Sequence, residues 1–440
     1  MNTGEKPAGA GWNRRSFLQA SSLAAAASTL PVARSAHAAG DDAVKLALIG
    51  CGGRGRGAVV QALNNAAGAP VRLVALVDAF RDRVDDTHRM VTARHPDQVD
   101  VPEERKFTGL DGFERALQCD VDMVQLCGPP GFRPAQFEAA VAAGKHVFME
   151  KPVATDAPGV RRIMAANEVA KQKGLLVAVG HHLRHEVKHV DSVARIHDGA
   201  IGRVQYVRAY FNSTGVWVRN RQPEQTEMEY QVRNWYYFTW LSGDHIVEQH
   251  VHDLDIGNWI LQATPVQAQG SGGRQVRIGP EYGEIFDHHT VEFTYADGSQ
   301  MFSYCRHIPN CWNSFSQHAH GTRGTVHIEG HGPAEIRIAG QDPIRIERGP
   351  AGHQRHQNHL FAALREGQPF NEGDYGATAT MTAILGRMAT YSGQLVRWED
   401  ALNSQIDLSP PRMAWDAQMP VQPGPDGLYP CAIPGVTPAV

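Results

Sequence analysis

The sequence predicts an α/β protein: an N-terminal doubly wound parallel sheet, then an α+β domain with a large, mostly antiparallel open sheet. Three observations carry this. Short apolar runs alternate with helical stretches through the first part of the chain, as in a parallel sheet covered on both faces. The first of these runs ends in a glycine-rich turn, Gly50-Cys51-Gly52-Gly53-Arg54-Gly55. Beyond Gly180 the extended segments lengthen and alternate apolar with polar residues, as strands with one wet face do.

Residues 45–49 read as a strand running into the glycine turn, 58–65 have helical spacing, and 71–77 form a second buried strand ending at Asp78. A strand over 121–127, a helix over 134–143 and a strand over 146–149 continue the alternation. After 177–180, strands are expected at 204–211, 276–278, 289–295, 301–305 and 325–328. Ala296-Asp297-Gly298-Ser299 is the hairpin turn between two of them. Helices near 247–261, 356–366 and 377–392 are expected to cover this second sheet. From Leu408 the chain is proline-rich without periodicity, an extended tail. The expected organisation is an export signal over 1–38, a dinucleotide-binding domain over 39–165, a substrate and oligomerisation domain over 166–407, and a tail over 408–440.

The chain has 440 residues and a net charge of −4, which leaves no basic footprint for nucleic acid. Asn13-Arg14-Arg15-Ser16-Phe17-Leu18 precedes an apolar stretch, and Ala36-His37-Ala38 gives the small-x-small cleavage pattern. This order is that of a secretory signal, and the arginine pair resembles the twin-arginine class. The expected partner is therefore the twin-arginine export machinery, and the expected location periplasmic or secreted. The apolar run falls short of a membrane span of about 20 residues, so no stable membrane insertion is expected. Twin-arginine transport carries folded proteins, which allows a cofactor to be loaded beforehand. The six cysteines are sparse, and a disulfide between Cys305 and Cys311, the nearest pair in the second domain, is not expected.

The glycine turn has the spacing Gly50-x-Gly52-x-x-Gly55 between a strand and a helix, the context that gives a dinucleotide fingerprint its meaning. Gly50 permits the tight turn, Gly52 and Gly53 leave the backbone open to a pyrophosphate, and Gly55 lets the helix pack closely. The helix N-terminus offers free N–H groups to phosphates, and Arg54 adds charge. Asp78 stands where an acid binds adenosine ribose hydroxyls. Its charge disfavours a 2′-phosphate, so NAD is expected over NADP, with Arg81 weakening that preference slightly.

His146-Val147-Phe148-Met149-Glu150-Lys151-Pro152 carries a strand into a Glu-Lys-Pro turn, which sets Glu150 and Lys151 at the carboxyl edge where open parallel sheets bind ligands. Further on, Gly243-Asp244-His245-Ile246-Val247-Glu248-Gln249-His250-Val251-His252-Asp253-Leu254-Asp255 spaces Glu248, His252 and Asp255 for one face of a helix. By spacing alone this could equally be an ordinary polar face.

With these motifs the chain resembles the Gfo/Idh/MocA oxidoreductases over nearly all of its length after the signal, including Asn358-His359-Leu360, Gly386-Arg387 and Tyr391-Ser392-Gly393. The resemblance implies a Rossmann domain, bound nucleotide, and oxidation of an alcohol by hydride transfer. It implies Glu150 and Lys151 beside the cofactor, Lys151 on the reacting oxygen, His252 as the base, and Glu248 orienting His252 or binding a neighbouring hydroxyl. Family members typically carry Asp where this chain has Glu248, one methylene shorter. His182 and Arg184, Trp235 and Tyr236, and Asp255 are the further candidates to meet a sugar or polyol. His182 and Arg184 could equally be packing residues, and the Trp–Tyr pair core. Family members often pair through the open sheet, so a homo-oligomer is expected.

The 22 histidines invite a metal, but no Cys/His framework of zinc spacing accompanies them, and none is expected. His250 and His252 diverge on a helix, and His288-His289 and His318-x-His320 are placed in a strand and a loop. The expected activity is an exported NAD-dependent sugar or polyol oxidoreductase with retained cofactor. The alternatives are an NAD-dependent glycoside hydrolase and a sugar-binding protein without catalysis.

Overall fold

The computed structural model describes residues 43–440, so the expected export signal lies outside the described residues. Six strands, β1 (Val44–Ile49), β2 (Val71–Asp78), β3 (Lys106–Thr108), β4 (Met123–Leu126), β5 (His146–Met149) and β6 (Val177–Val179), form a sheet in the order β3-β2-β1-β4-β5-β6. Every pairing in it is parallel. Side chains of β1 alternate between two apolar clusters, Leu46 and Leu48 in one and Ala47 and Ile49 in the other. This is why the strand reads as continuously apolar. Helix α1 (Gly53–Leu63) packs on the first face, and α2 (Arg133–Ala142) and α3 (Ala157–Gln172) on the second.

The expected boundary at 165/166 falls inside α3, because β6 pairs with β5 and belongs to the parallel sheet. The second sheet has nine strands in the order β14-β13-β12-β11-β7-β10-β9-β8-β15. These are β7 (Val204–Ser213), β8 (Gln267–Gly273), β9 (His288–Thr294), β10 (Gln300–His307), β11 (Ser314–Gly321), β12 (Gly324–Glu329), β13 (Ala334–Ile338), β14 (Ile344–Ile346) and β15 (Val396–Arg397). The β7–β10 pair is parallel and the other pairs are antiparallel. The β9–β10 hairpin closes at the expected turn, where Asp297 accepts from the Ser299 amide and hydroxyl.

Four expectations need correction. Residues 276–278 are not a strand: the Asp287 carboxylate gathers the amides of Gln275, Val276 and Arg277, bending the segment into a loop. The strand is instead the Gly-rich β8, which lacks an apolar signature. His318 and His320 lie in β11 rather than a loop, since alternate residues of that segment face the core. The helix near 247–261 is broken into α4 (His245–Glu248) and α5 (Val251–Leu261). At the break the His250 ring is held by Asp253 and by Ser303 of β10. Finally, α6 (Gly352–Glu366) covers the parallel sheet rather than the second one, burying Leu360 and Phe361 with α1. The long α7 (Gly373–Ser392) is buried along almost its whole length and packs on β8, β9, α3 and α5.

After the short helix Trp398–Asn403 the chain has no further helix or strand. Met419, Val421 and Tyr429 bury against Tyr236, Tyr237 and Trp240, so the tail closes an aromatic cluster of its own. All six cysteines are unpaired.

Candidate active site

The parallel sheet reverses its order between β1 and β4, and the loops that leave those strands meet there. Gly50 turns at φ +100°, and a Cβ on it would lie 2.3 Å from the Gly128 amide nitrogen. A Cβ on Gly55 would lie 1.9 Å from the Gly50 carbonyl oxygen, so α1 can start against the turn only without a side chain there. Gly52 and Gly53 face open space. A cavity of about 340 Å³ opens over them, lined also by Arg54, Asp78 and Phe80 from this domain and by Trp235, Tyr236 and Glu248 from the other. An uncapped helix N-terminus beneath bare glycine backbone suits a pyrophosphate, so the residues present fit a dinucleotide.

Asp78 accepts from the Cys51 amide at 2.7 Å and the Phe80 amide at 3.1 Å, and burial raises its carboxyl pKa. Arg81 turns away to Asp85 and Glu103, leaving Arg83 as the basic residue of that helix on the cavity. Arg54 donates to Glu150 at 2.7 Å, so its charge is shared rather than free for phosphate. Burial would raise the Glu150 carboxyl, but Arg54, His353 and Lys151 outweigh it and hold it below its ordinary value.

The two motifs meet at Lys151 and Glu248. The Lys151 ammonium donates to Glu248 Oε1 at 3.0 Å and to the Glu248 carbonyl, with both side chains about nine-tenths buried. Glu248 ends α4, so the helix break, not one continuous helical face, presents it. His252, on α5, is 5% exposed, and its ring lies 4.7 Å from that of His182 and 5.8 Å from that of His181. Burial, then His182 and the Lys151 charge, push the His252 pKa well below its ordinary value. Burial thus favours the unprotonated imidazole, while the same shift makes it a weaker base than a free histidine.

The remaining candidates divide. Trp235 and Tyr236 line the cavity, and the Tyr236 hydroxyl is buried with no hydrogen-bond partner. His182 stacks on His353 at 3.7 Å and packs on His252. Arg184 and Asp255 are a correction: they do not present charge to the cavity. Arg184 donates through Nε and Nη2 to the two Asp255 oxygens at 2.8 and 2.9 Å, and Asp255 is 1% exposed. The guanidinium also lies 4.0 Å over the Tyr375 ring. Of the two openings the spacing leaves, a substrate face or an ordinary polar one, Asp255 takes neither: Arg184, from a distant part of the chain, holds it.

Two supports had no usable sequence signal. Buried Arg133, on α2, donates to the Pro152 carbonyl and, at 2.6 Å, to the Gly128 carbonyl, bracing the Glu-Lys-Pro turn against the β4 loop. His353, on α6, backs His182. Only the unusual burial of a charged or polar group reveals either.

Residues 44–181 match a family profile described as "Oxidoreductase family, NAD-binding Rossmann fold", and residues 192–327 match the "GFO/IDH/MocA C-terminal domain". The chain is 26% identical over 301 residues to an inositol 2-dehydrogenase of Rhizobium meliloti, covering 68% of this chain and 79% of that protein. It is 31% identical over 198 residues to an inositol 2-dehydrogenase of Gluconacetobacter diazotrophicus, covering 45% and 49%. The structure of an aldose-aldose oxidoreductase from Caulobacter crescentus superposes with a TM-score of 0.64 at 20% identity, over 81% of this chain and 100% of that one, a likeness of fold.

Proposed function

The chain belongs to the Gfo/Idh/MocA oxidoreductase family, with an NAD-binding Rossmann domain, and from that premise we propose that it oxidises a hydroxyl of a sugar or polyol. The observation that carries this is the Lys151–Glu248 pair, set at the carboxyl edge of the parallel sheet beside a neutral His252. Bound NAD supplies the hydride acceptor. Gly50, Gly52, Gly53 and the start of α1 would hold its pyrophosphate, and Asp78 its adenosine ribose. The negative Asp78 carboxylate disfavours a 2′-phosphate. Lys151 donates to the substrate oxygen as negative charge develops on it, while Glu248 keeps the ammonium in place. His252 accepts the hydroxyl proton. Trp235 and Tyr236 give a ring of apolar C–H groups a flat surface.

An exported enzyme needs its cofactor restored in each cycle, so a second carbonyl substrate that takes the hydride back completes the proposal. Phe80, on the cavity, is covered by Arg233 at 3.8 Å and by the tail residue Trp415 at 5.6 Å, a cover that supports retention. The half-buried aromatics Tyr210 and Tyr304 of the second sheet, beside Trp312 at 67% exposure in the β10–β11 connection, support a homo-oligomer.

A glycoside hydrolase working by transient oxidation, elimination and re-reduction is the second possibility. It requires a base for a carbon-bound proton, and the unpartnered Tyr236 hydroxyl on the cavity favours it. Burial raises that hydroxyl's pKa well above its ordinary value, which weakens it as a base. Polyols, aldoses and aryl glycosides incubated with the purified enzyme in deuterated water decide between the two. Oxidation that depends on an added carbonyl acceptor, without aglycone release, is the expected result. Aglycone release with deuterium incorporated beside the oxidised carbon would establish the hydrolase instead.

A further inference from the structure

We propose that Asp244, His245 and His289 bind a divalent transition-metal ion, zinc in the first instance, at a buried site behind the substrate end of the cavity. One ligand atom from each lies within 4.8 Å of the others, and all three residues are buried. A carboxylate and two imidazoles are a donor set that zinc accepts.

The hydrogen-bond geometry around His289 points to a cation. The Thr390 hydroxyl sits within donating distance of the Gly386 and Arg387 carbonyls, at 3.1 Å each. Its oxygen is thereby left to accept from His289 Nδ1 at 2.8 Å. His289 Nδ1 is thus engaged by Thr390, and Nε2 is the ring atom left facing Asp244. That nitrogen lies 3.3 Å from Asp244 Oδ2 and makes no hydrogen bond. A buried ring nitrogen without a hydrogen-bond partner and a carboxylate oxygen turned to the same point are donor atoms open to a cation. A hydroxyl or carbonyl partner fixing the far nitrogen is also how metal-binding histidines are usually oriented.

The rest of the cluster agrees. Neither ring nitrogen of His245 has a hydrogen-bond partner, nor does either of His307, whose ring stacks on His245 at 4.3 Å. Asp244 is held by the Tyr391 hydroxyl at 2.6 Å and the Phe286 amide at 3.0 Å, and also accepts from the His245 amide. Its backbone sits at φ +76°, a conformation non-glycine residues rarely adopt. Asp244 and His245 are consecutive, the N-cap and first residue of α4, and His289 comes from β9 beneath α7. The ion would thus clamp the helix that carries Glu248.

The full purified chain, with its nucleotide, is incubated with excess Zn²⁺, freed of loose metal by gel filtration, and analysed by mass spectrometry for metal content. The expected result is about one equivalent per chain, as for a single closed site. His245→Gln and His289→Gln should each retain at least tenfold less, while the stacked pair on the second sheet, half-buried His318→Ala and exposed His327→Ala, retains as much as the unaltered chain. Released NAD and near-UV circular dichroism check that each variant is folded. Should a variant fail to fold, Co²⁺ in the unaltered chain decides, because a site of this kind gives visible ligand-field bands. Less than a tenth of an equivalent of Zn²⁺, absent Co²⁺ bands, or equal retention in folded His245→Gln and His289→Gln variants would overturn the proposal.

Discussion

Lys151 and Glu248 are far apart in sequence, and each is ordinary by itself; the fold brings them into contact at 3.0 Å. Removing the ammonium should remove the charge that steadies the developing alkoxide. Lys151→Ala is expected to lower turnover by roughly two to four orders of magnitude, and His252→Ala similarly by loss of the base. Steady-state kinetics on whichever polyol or aldose the enzyme oxidises, with NAD content unchanged, checks both. Turnover within a few-fold of normal in either variant would remove that residue from the reaction. At this scale the sequence was a good guide where a motif fixed the backbone, as at Gly50, Gly55 and Lys151. It misled at Asp255, because a carboxylate's partner depends on which arginine the fold brings up.

Among the elements, α1 and the α5–Arg184 contact carry the clearest expectations. Gly55→Ala places a methyl carbon where the Gly50 carbonyl oxygen already stands, 1.9 Å away. Helix α1 must then shift off the turn, and the nucleotide released on denaturation should fall at least tenfold relative to the unaltered chain. Retention of a full complement would show that the turn tolerates the shift. Asp255→Asn leaves the Arg184 guanidinium without its charge partner in a largely buried setting. Breaking such a pair costs about 3 kcal/mol, somewhat less here because the arginine side chain is 18% exposed and can recruit water. A lowered urea midpoint with unchanged m-value is the expected signature, and an unchanged midpoint would assign the pair no role in stability. The helix break at Gln249–His250 belongs to this scale too. The residues from 247 to 261 all tolerate helix, and only the ties of His250 to Asp253 and Ser303 mark where it stops.

Across the whole molecule, burial of histidines makes stability depend on pH. Burial lowers the pKa of His181, His182 and His252, and brings His185 and His353 to about 4. The unfolded chain takes up these protons near pH 6.5, whereas the folded chain resists them until well below. The unfolded state therefore binds more protons in that window. The stability is fully present above about pH 6.5 and is lost as pH falls through the folded values. Between pH 7.5 and 5 each such imidazole should remove about 2 kcal/mol, so a drop of several kcal/mol in the unfolding free energy is expected from urea titrations at the two pH values. A flat or rising profile would mean these imidazoles are charged in the folded protein.

The sequence by itself determined the two-sheet architecture, the nucleotide turn and the lysine at the sheet edge. Each rests on a local rule: a strand's two-residue period, the space a glycine leaves, the direction in which a parallel strand ends. Tertiary structure alone decided what those rules do not reach. It placed α6 on the first sheet, made a strand of the Gly-rich β8, assigned Asp255 to Arg184, and gathered Asp244, His245 and His289 into one buried cluster. The physical reason is the same in each case. A polar side chain's role follows from the partner that satisfies it once water is gone, and that partner comes from a part of the chain no local pattern identifies.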